Sequence, residues 1–177
     1  QKQEKILKNV LENDEIPAIT TPYFNFFELD VLCQMGKLTE VLDKIRSYWG
    51  GMLDLGAVTF WEEYDPSVPK EEQYDMYGDH FGKSLCHAWA ASPIYFLAKY
   101  FTGLDLVNKD GVTYILKPQM QYFTELDCTL PVGSNGVVRL VWDGEILEIT
   151  PNADGGILEL GEQKLSLVRG ETRRVKI

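Results

Sequence analysis

The densest run of chemically useful side chains is Gly56-Ala57-Val58-Thr59-Phe60-Trp61-Glu62-Glu63-Tyr64-Asp65-Pro66. It sets aromatic rings beside carboxylates. That combination suits a carbohydrate. A flat ring stacks on the apolar side of a pyranose, and a carboxylate accepts hydrogen bonds from hydroxyls or deprotonates a water for attack on an anomeric carbon. On spacing alone, the plainer reading is a partly buried aromatic turn whose acids face water. A second cluster is Ser84-Leu85-Cys86-His87-Ala88-Trp89. His87 could orient a substrate hydroxyl or tune a nearby carboxylate; the alternative is a core histidine bonded to a backbone carbonyl. On composition alone, Trp89, Tyr23, Phe24 and Phe27 are more often packing groups than sugar platforms.

These residues need elements to hold them. Residues 2–11 place Ile6, Leu7, Val10 and Leu11 on one face of an amphipathic helix, which Asn13 and Asp14 end. Thr20 and Thr21 offer an N-cap, Pro22 suits a first helical position, and Gly36 suits a stop. The helix between them is apolar nearly all round, so it should be buried on several sides. In contrast, Leu38, Val41, Leu42, Ile45 and Trp49 form one stripe opposite Glu40, Asp43, Lys44 and Arg46, with Gly50-Gly51 as the expected stop. Enclosed and half-wet helices in alternation are compatible with part of a double-ring helical barrel. Residues 63–83 lose periodicity, and a loop this long is usually functional or disordered. A further helix is expected over 85–101, with Pro93 tolerated only near its first turn or at a kink.

Near 104–109 the apolar spacing changes from helical to strand-like. Strands are expected at 112–116, 137–142, 145–150, 157–160, 164–168 and 172–177, with Asp143-Gly144 as a hairpin turn. The fold class is therefore α+β: helical hairpins over residues 1–105, then an antiparallel β-sandwich over 106–177.

Seventeen Lys and Arg against 27 Asp and Glu give 177 residues a formal net charge of −10. The basic residues are scattered, so the basic stripe of a nucleic-acid binder is lacking. No stretch approaches the roughly 20 apolar residues of a membrane span. Cys33, Cys86 and Cys128 have no CxxC spacing and read as small buried thiols, and two histidines are too few for a His-rich metal site. Neither a metal nor another cofactor is expected. A chain that begins at Gln1 inside a helix-like run is expected to belong to a longer protein.

Taken in order, Thr21-Pro22-Tyr23-Phe24, Ile45-Arg46-Ser47-Tyr48-Trp49-Gly50-Gly51-Met52, Gly56 to Glu62, and Ser84 to Trp89 with Pro93 resemble the glycoside hydrolase family 78 α-L-rhamnosidases. The likeness covers residues 18–103 and continues less sharply through Ile115-Leu116-Lys117-Pro118-Gln119. It implies the second half of an α/α six-hairpin barrel followed by a C-terminal β-domain, and hydrolysis of terminal α-L-rhamnosides with inversion. The family's tryptophan–glutamate motif maps its general base onto Glu62, with Glu63 the weaker candidate. Its His-x-Trp motif maps a rhamnose contact onto His87; Trp61, Phe24 and Trp89 are further substrate-binding candidates. The family's general acid belongs to an acidic segment that nothing here matches. An inverting enzyme needs two carboxyl groups roughly 6.5–9.5 Å apart, so this chain is expected to supply one and to be inactive alone. The implied partners are a rhamnose-containing glycoside or oligosaccharide and the missing N-terminal part of the barrel. The competing readings are a non-catalytic sugar-binding or structural domain and another α/α-barrel glycosidase.

Overall fold

The computed structural model of the chain describes residues 4, 5, 7–11, 13, 15–109, 112–134 and 136–177, with the backbone alone at 10, 11 and 109. The chain forms two compact units, Gln1–Ile94 and Tyr95–Ile177. The fold class is α+β. No described helix is long and apolar enough to cross a membrane.

In the first unit a wide helical turn, Leu7–Leu11, covers part of the expected first helix. Ile6, Asp14 and the side chains of Val10 and Leu11 lie outside the described residues. Helix α1 (Pro22–Gln34) starts on Pro22, as proline's fixed φ favours. Thr21 takes the N-cap position, but its hydroxyl makes no capping bond. Instead the buried Asn25 side chain donates to Ile19 O and Thr21 O, at 3.1 and 3.2 Å. Gly36, at φ +74°, closes α1: its N–H bonds to Cys33 O and the Lys37 N–H to Leu32 O. Burial all round is not met within this chain. Asn25, Leu29, Leu32 and Cys33 face inward, whereas Tyr23, Phe24, Phe27 and Val31 are exposed.

Helix α2 (Leu38–Lys44) runs through a π-type turn, Ile45–Trp49, into α3 (Gly50–Asp54). Gly50-Gly51 is therefore not the stop. Gly51 is a close-approach position, because a Cβ there would overlap the Tyr64 ring. The stop is Gly56, at φ +95°, with bonds from Gly56 N–H to Leu53 O and from Ala57 N–H to Met52 O. Val41, Leu42, Tyr48, Trp49 and Met52 form the inner face. These described helices do not by themselves close a barrel. The helix expected from residue 85 begins later: 85–87 are irregular, Ala88–Ala90 make one tight turn, and α4 (Ser92–Phe96) starts with Pro93 in its first turn.

The described residues of the second unit form eight strands: β1 (Asp105–Lys109), β2 (Val112–Leu116), β3 (Leu126–Pro131), β4 (Val137–Trp142), β5 (Ile146–Pro151), β6 (Gly156–Leu160), β7 (Gln163–Leu167) and β8 (Arg173–Lys176). They form two sheets, ordered β1-β2-β6-β7 and β3-β4-β5-β8. Every pairing is antiparallel except β2 with β6, which is parallel. One core, from Leu116 and Leu158 to Leu140, Leu147 and Ile149, takes residues from both sheets. The helical residues before β1 join this unit because Phe101 packs on Tyr122 and Phe123, and Ala98 on the sandwich core.

Tyr114 is fully buried in that core, against Gly156, where a side chain would overlap its ring. Its hydroxyl has no hydrogen-bond partner among the described residues, and burial, with the Asp154 charge, pushes it up to about 12. An unpaired buried hydroxyl costs roughly 1–3 kcal/mol. Tyr114→Phe is therefore predicted to leave stability unchanged or to raise it by about 1 kcal/mol, read as a thermal unfolding midpoint that does not fall.

Candidate functional site

Two irregular segments, 59–62 and 84–87, lie side by side. Glu62 N–H donates to Ser84 O at 2.9 Å, and His87 N–H donates to Phe60 O at 2.8 Å. The Thr59 hydroxyl bonds to Leu85 O. This pairing brings together two of the residues that sequence spacing separates, Glu62 and His87. Trp61 and Tyr64 are buried, and Glu62 and Glu63 between them are half-buried.

Each carboxylate oxygen of Glu62 has its own donor. Ser84 N–H reaches Oε2 at 3.1 Å, and the Tyr77 hydroxyl reaches Oε1 at 3.0 Å. The Ser84 bond above all holds the carboxyl below the usual glutamate range; burial opposes it, and the Tyr77 bond with the charges of His87 and Lys83 adds to the lowering. Glu62 is therefore an anion at neutral pH, with lone pairs left over for a water or a sugar hydroxyl.

Beside it is a chain of rings. His87 meets Trp89 edge to face at 5.8 Å, Trp89 meets Tyr23 at 5.3 Å, and Tyr23 contacts Phe24 at 5.2 Å and Phe27 at 5.5 Å. Trp89 is 68 % exposed and Phe24 58 %, so both rings are open to solvent. Trp49 fixes the turn that carries Trp89, because its buried indole N–H donates to Ala90 O at 2.8 Å.

Trp61 is placed differently. It is 3 % exposed and packs edge-on against Tyr74, so it supports the segment from behind. Glu63 has partners different from those of Glu62. It accepts from the Thr20 hydroxyl at 2.7 Å and pairs with the buried Lys83 ammonium at 3.8 Å. Burial pulls Lys83 below the ordinary lysine range, while Glu63, Asp65, Asp75 and Glu62 pull it back. Sequence reasoning did not select Tyr77 as a site residue. Its only signal was the Tyr77-Gly78 pair inside the aromatic-rich loop. Nor did it place Cys86, which is exposed on the 84–87 segment rather than buried. The described residues hold no group of three or more His, Cys, Asp or Glu able to bind a metal.

No protein-family profile matches the chain, and no curated protein sequence does. Among solved structures, a GH78 family rhamnosidase of Bacillus sp. GL1 is similar over 92% of this chain and 17% of its own, with 23% identity and a TM-score of 0.64. A rhamnosidase from Klebsiella oxytoca with rhamnose bound is similar over 55% of this chain and 18% of its own, with 36% identity and a TM-score of 0.48. The chain thus spans less than a fifth of either protein. The likeness to the Bacillus protein gives this chain a rhamnosidase-like fold.

The two adjacent glutamates are predicted to differ in what their loss does to folding. Glu63→Gln leaves Lys83 buried without its counter-charge and should destabilise the first unit by about 1–3 kcal/mol. Adding Lys83→Met should recover most of that loss, because no buried charge is then stranded. Thermal unfolding of the single and double variants checks both outcomes.

Proposed function

We propose that the chain is part of an inverting glycosidase that hydrolyses terminal α-L-rhamnosides, with Glu62 as general base. The observation that carries this reading is the Glu62 carboxylate, held ionised by Ser84 and Tyr77 beside His87 and the exposed Trp89 and Phe24 rings. Glu62 takes a proton from a water as that water attacks the anomeric carbon. His87 hydrogen-bonds a sugar hydroxyl. Trp89 and Phe24 cover the apolar side of a 6-deoxy sugar, whose methyl group has no hydroxyl to satisfy. Trp61 holds the Glu62 segment against the core. A fold shared with a GH78 family rhamnosidase supports the assignment.

Protonation of the leaving oxygen needs a second carboxyl, roughly 6.5–9.5 Å from the first. We assign that acid to polypeptide outside this chain, together with the rest of a six-hairpin barrel. The exposed face of α1 agrees with this: Tyr23, Phe24 and Phe27 together are an apolar patch of the kind that other protein or ligand covers.

The test uses the longer enzyme and an aryl α-L-rhamnoside. Glu62→Gln should lower kcat by several orders of magnitude while substrate still binds, and Glu63→Gln should lower it far less. The separated 177-residue chain should show no turnover. Equal losses at the two glutamates, or hydrolysis by the chain alone, would overturn the assignment.

A further inference from the structure

Resting on the reading of Glu62 as the general base, we propose that Tyr77 is a positioning residue that fixes the Glu62 carboxylate for water activation. The torsion that turns a glutamate carboxylate is broad and roughly two-fold. A single donor would leave the group free to swing. Here two donors on different segments, Ser84 N–H and the Tyr77 hydroxyl, hold one oxygen each at 3.1 and 3.0 Å. An ionised carboxylate has about four acceptor sites, so each oxygen keeps one for water. The Tyr77 hydroxyl donates to Glu62 and still has lone pairs of its own. It can therefore accept from the same water and help to place it.

The backbone at Tyr77 argues that the side chain is there for this contact. Tyr77 stands at φ +55° and Gly78 at φ +81°, at the tip of a turn in which Met76 and Asp79 exchange backbone hydrogen bonds of 3.0 and 2.9 Å. Such a turn favours Asn or Gly, and a bulky residue in the left-handed region is strained. Packing gives nothing back, because Tyr77 is 81 % exposed. What its side chain gains is the bond to Glu62. That bond also raises the phenol above its ordinary range, so Tyr77 stays protonated and stays a donor. The other charged groups acting on the pair are His87 and Lys83 at Glu62, and Glu63 at Tyr77.

Tyr77→Phe in the longer enzyme removes the hydroxyl and keeps the ring. It should lower kcat roughly ten- to a hundredfold with little change in KM, as loss of one bond to a charged group implies. The acid limb of the kcat/KM profile should move to higher pH, because Glu62 loses a donor that favours its ionised form. Tyr77→Gly relieves the backbone and should show the same two changes without loss of thermal stability. A Tyr77→Phe enzyme with unchanged kcat and acid limb, whether or not Tyr77→Gly is impaired, would overturn the proposal, since only the turn would then matter. Glu62→Gln is run in parallel. If it is inactive while Tyr77→Phe is normal, the role of Tyr77 alone falls; if Glu62→Gln is active, the general-base reading falls and takes this one with it.

Discussion

The arrangement of the first unit depends on the pairing of segments 59–62 and 84–87 through two backbone hydrogen bonds, Glu62 to Ser84 and His87 to Phe60. These bonds set Glu62 beside Ser84, while Trp61 and Tyr64 are buried in the core. Closing the intervening loop costs conformational entropy, and the loop offsets part of it with its own ties. Buried Gln73 donates to Asp65 O at 2.6 Å and to Val68 O at 2.8 Å. Thr20 anchors the near end: its carbonyl accepts from Tyr48 and Tyr64, and its hydroxyl donates to Glu63.

Adjacent acids thereby acquire opposite characters. Glu63 neutralises an ammonium that burial has made costly, and it belongs to the scaffold. Glu62 is held by neutral donors and stays accessible. Composition treats the two alike. Their surroundings separate them, in the way that paired carboxylates with different environments take different roles.

Much of this was legible in the sequence, for local reasons. Pro22 and Gly36 punctuate α1 because their backbone preferences act without tertiary help. Strands β4 and β5 show clear inward–outward alternation, and Asp143-Gly144 turns between them, with Asp143 accepting from the Glu145 and Ile146 N–H groups. Other features depended on contacts distant in sequence. Gly51 looks like a helix stop until Tyr64 arrives beside it. Strands β1 and β3, reading Asp-Leu-Val-Asn-Lys and Leu-Asp-Cys-Thr-Leu-Pro, were not anticipated, because polar and proline residues blur their pattern. At the site, Glu62, His87, Trp89 and Phe24 were selected by motif. Tyr77 was not, since nothing within a few residues of it reveals that its hydroxyl reaches a carboxylate 15 positions away.

The parallel pairing of β2 with β6 constrains how the sandwich can assemble. Strands β3, β4 and β5 are consecutive antiparallel neighbours, so that meander can form from local contacts. The other sheet cannot. Between β2 and β6 the chain leaves for the opposite sheet and returns, and β2 meets Gly156 and Ile157 only after that excursion. Pairings so far apart in sequence form late and slowly. On a ribosome the β1–β2 hairpin would emerge first and wait with one edge open, until the meander behind it had folded and carried β6 into place.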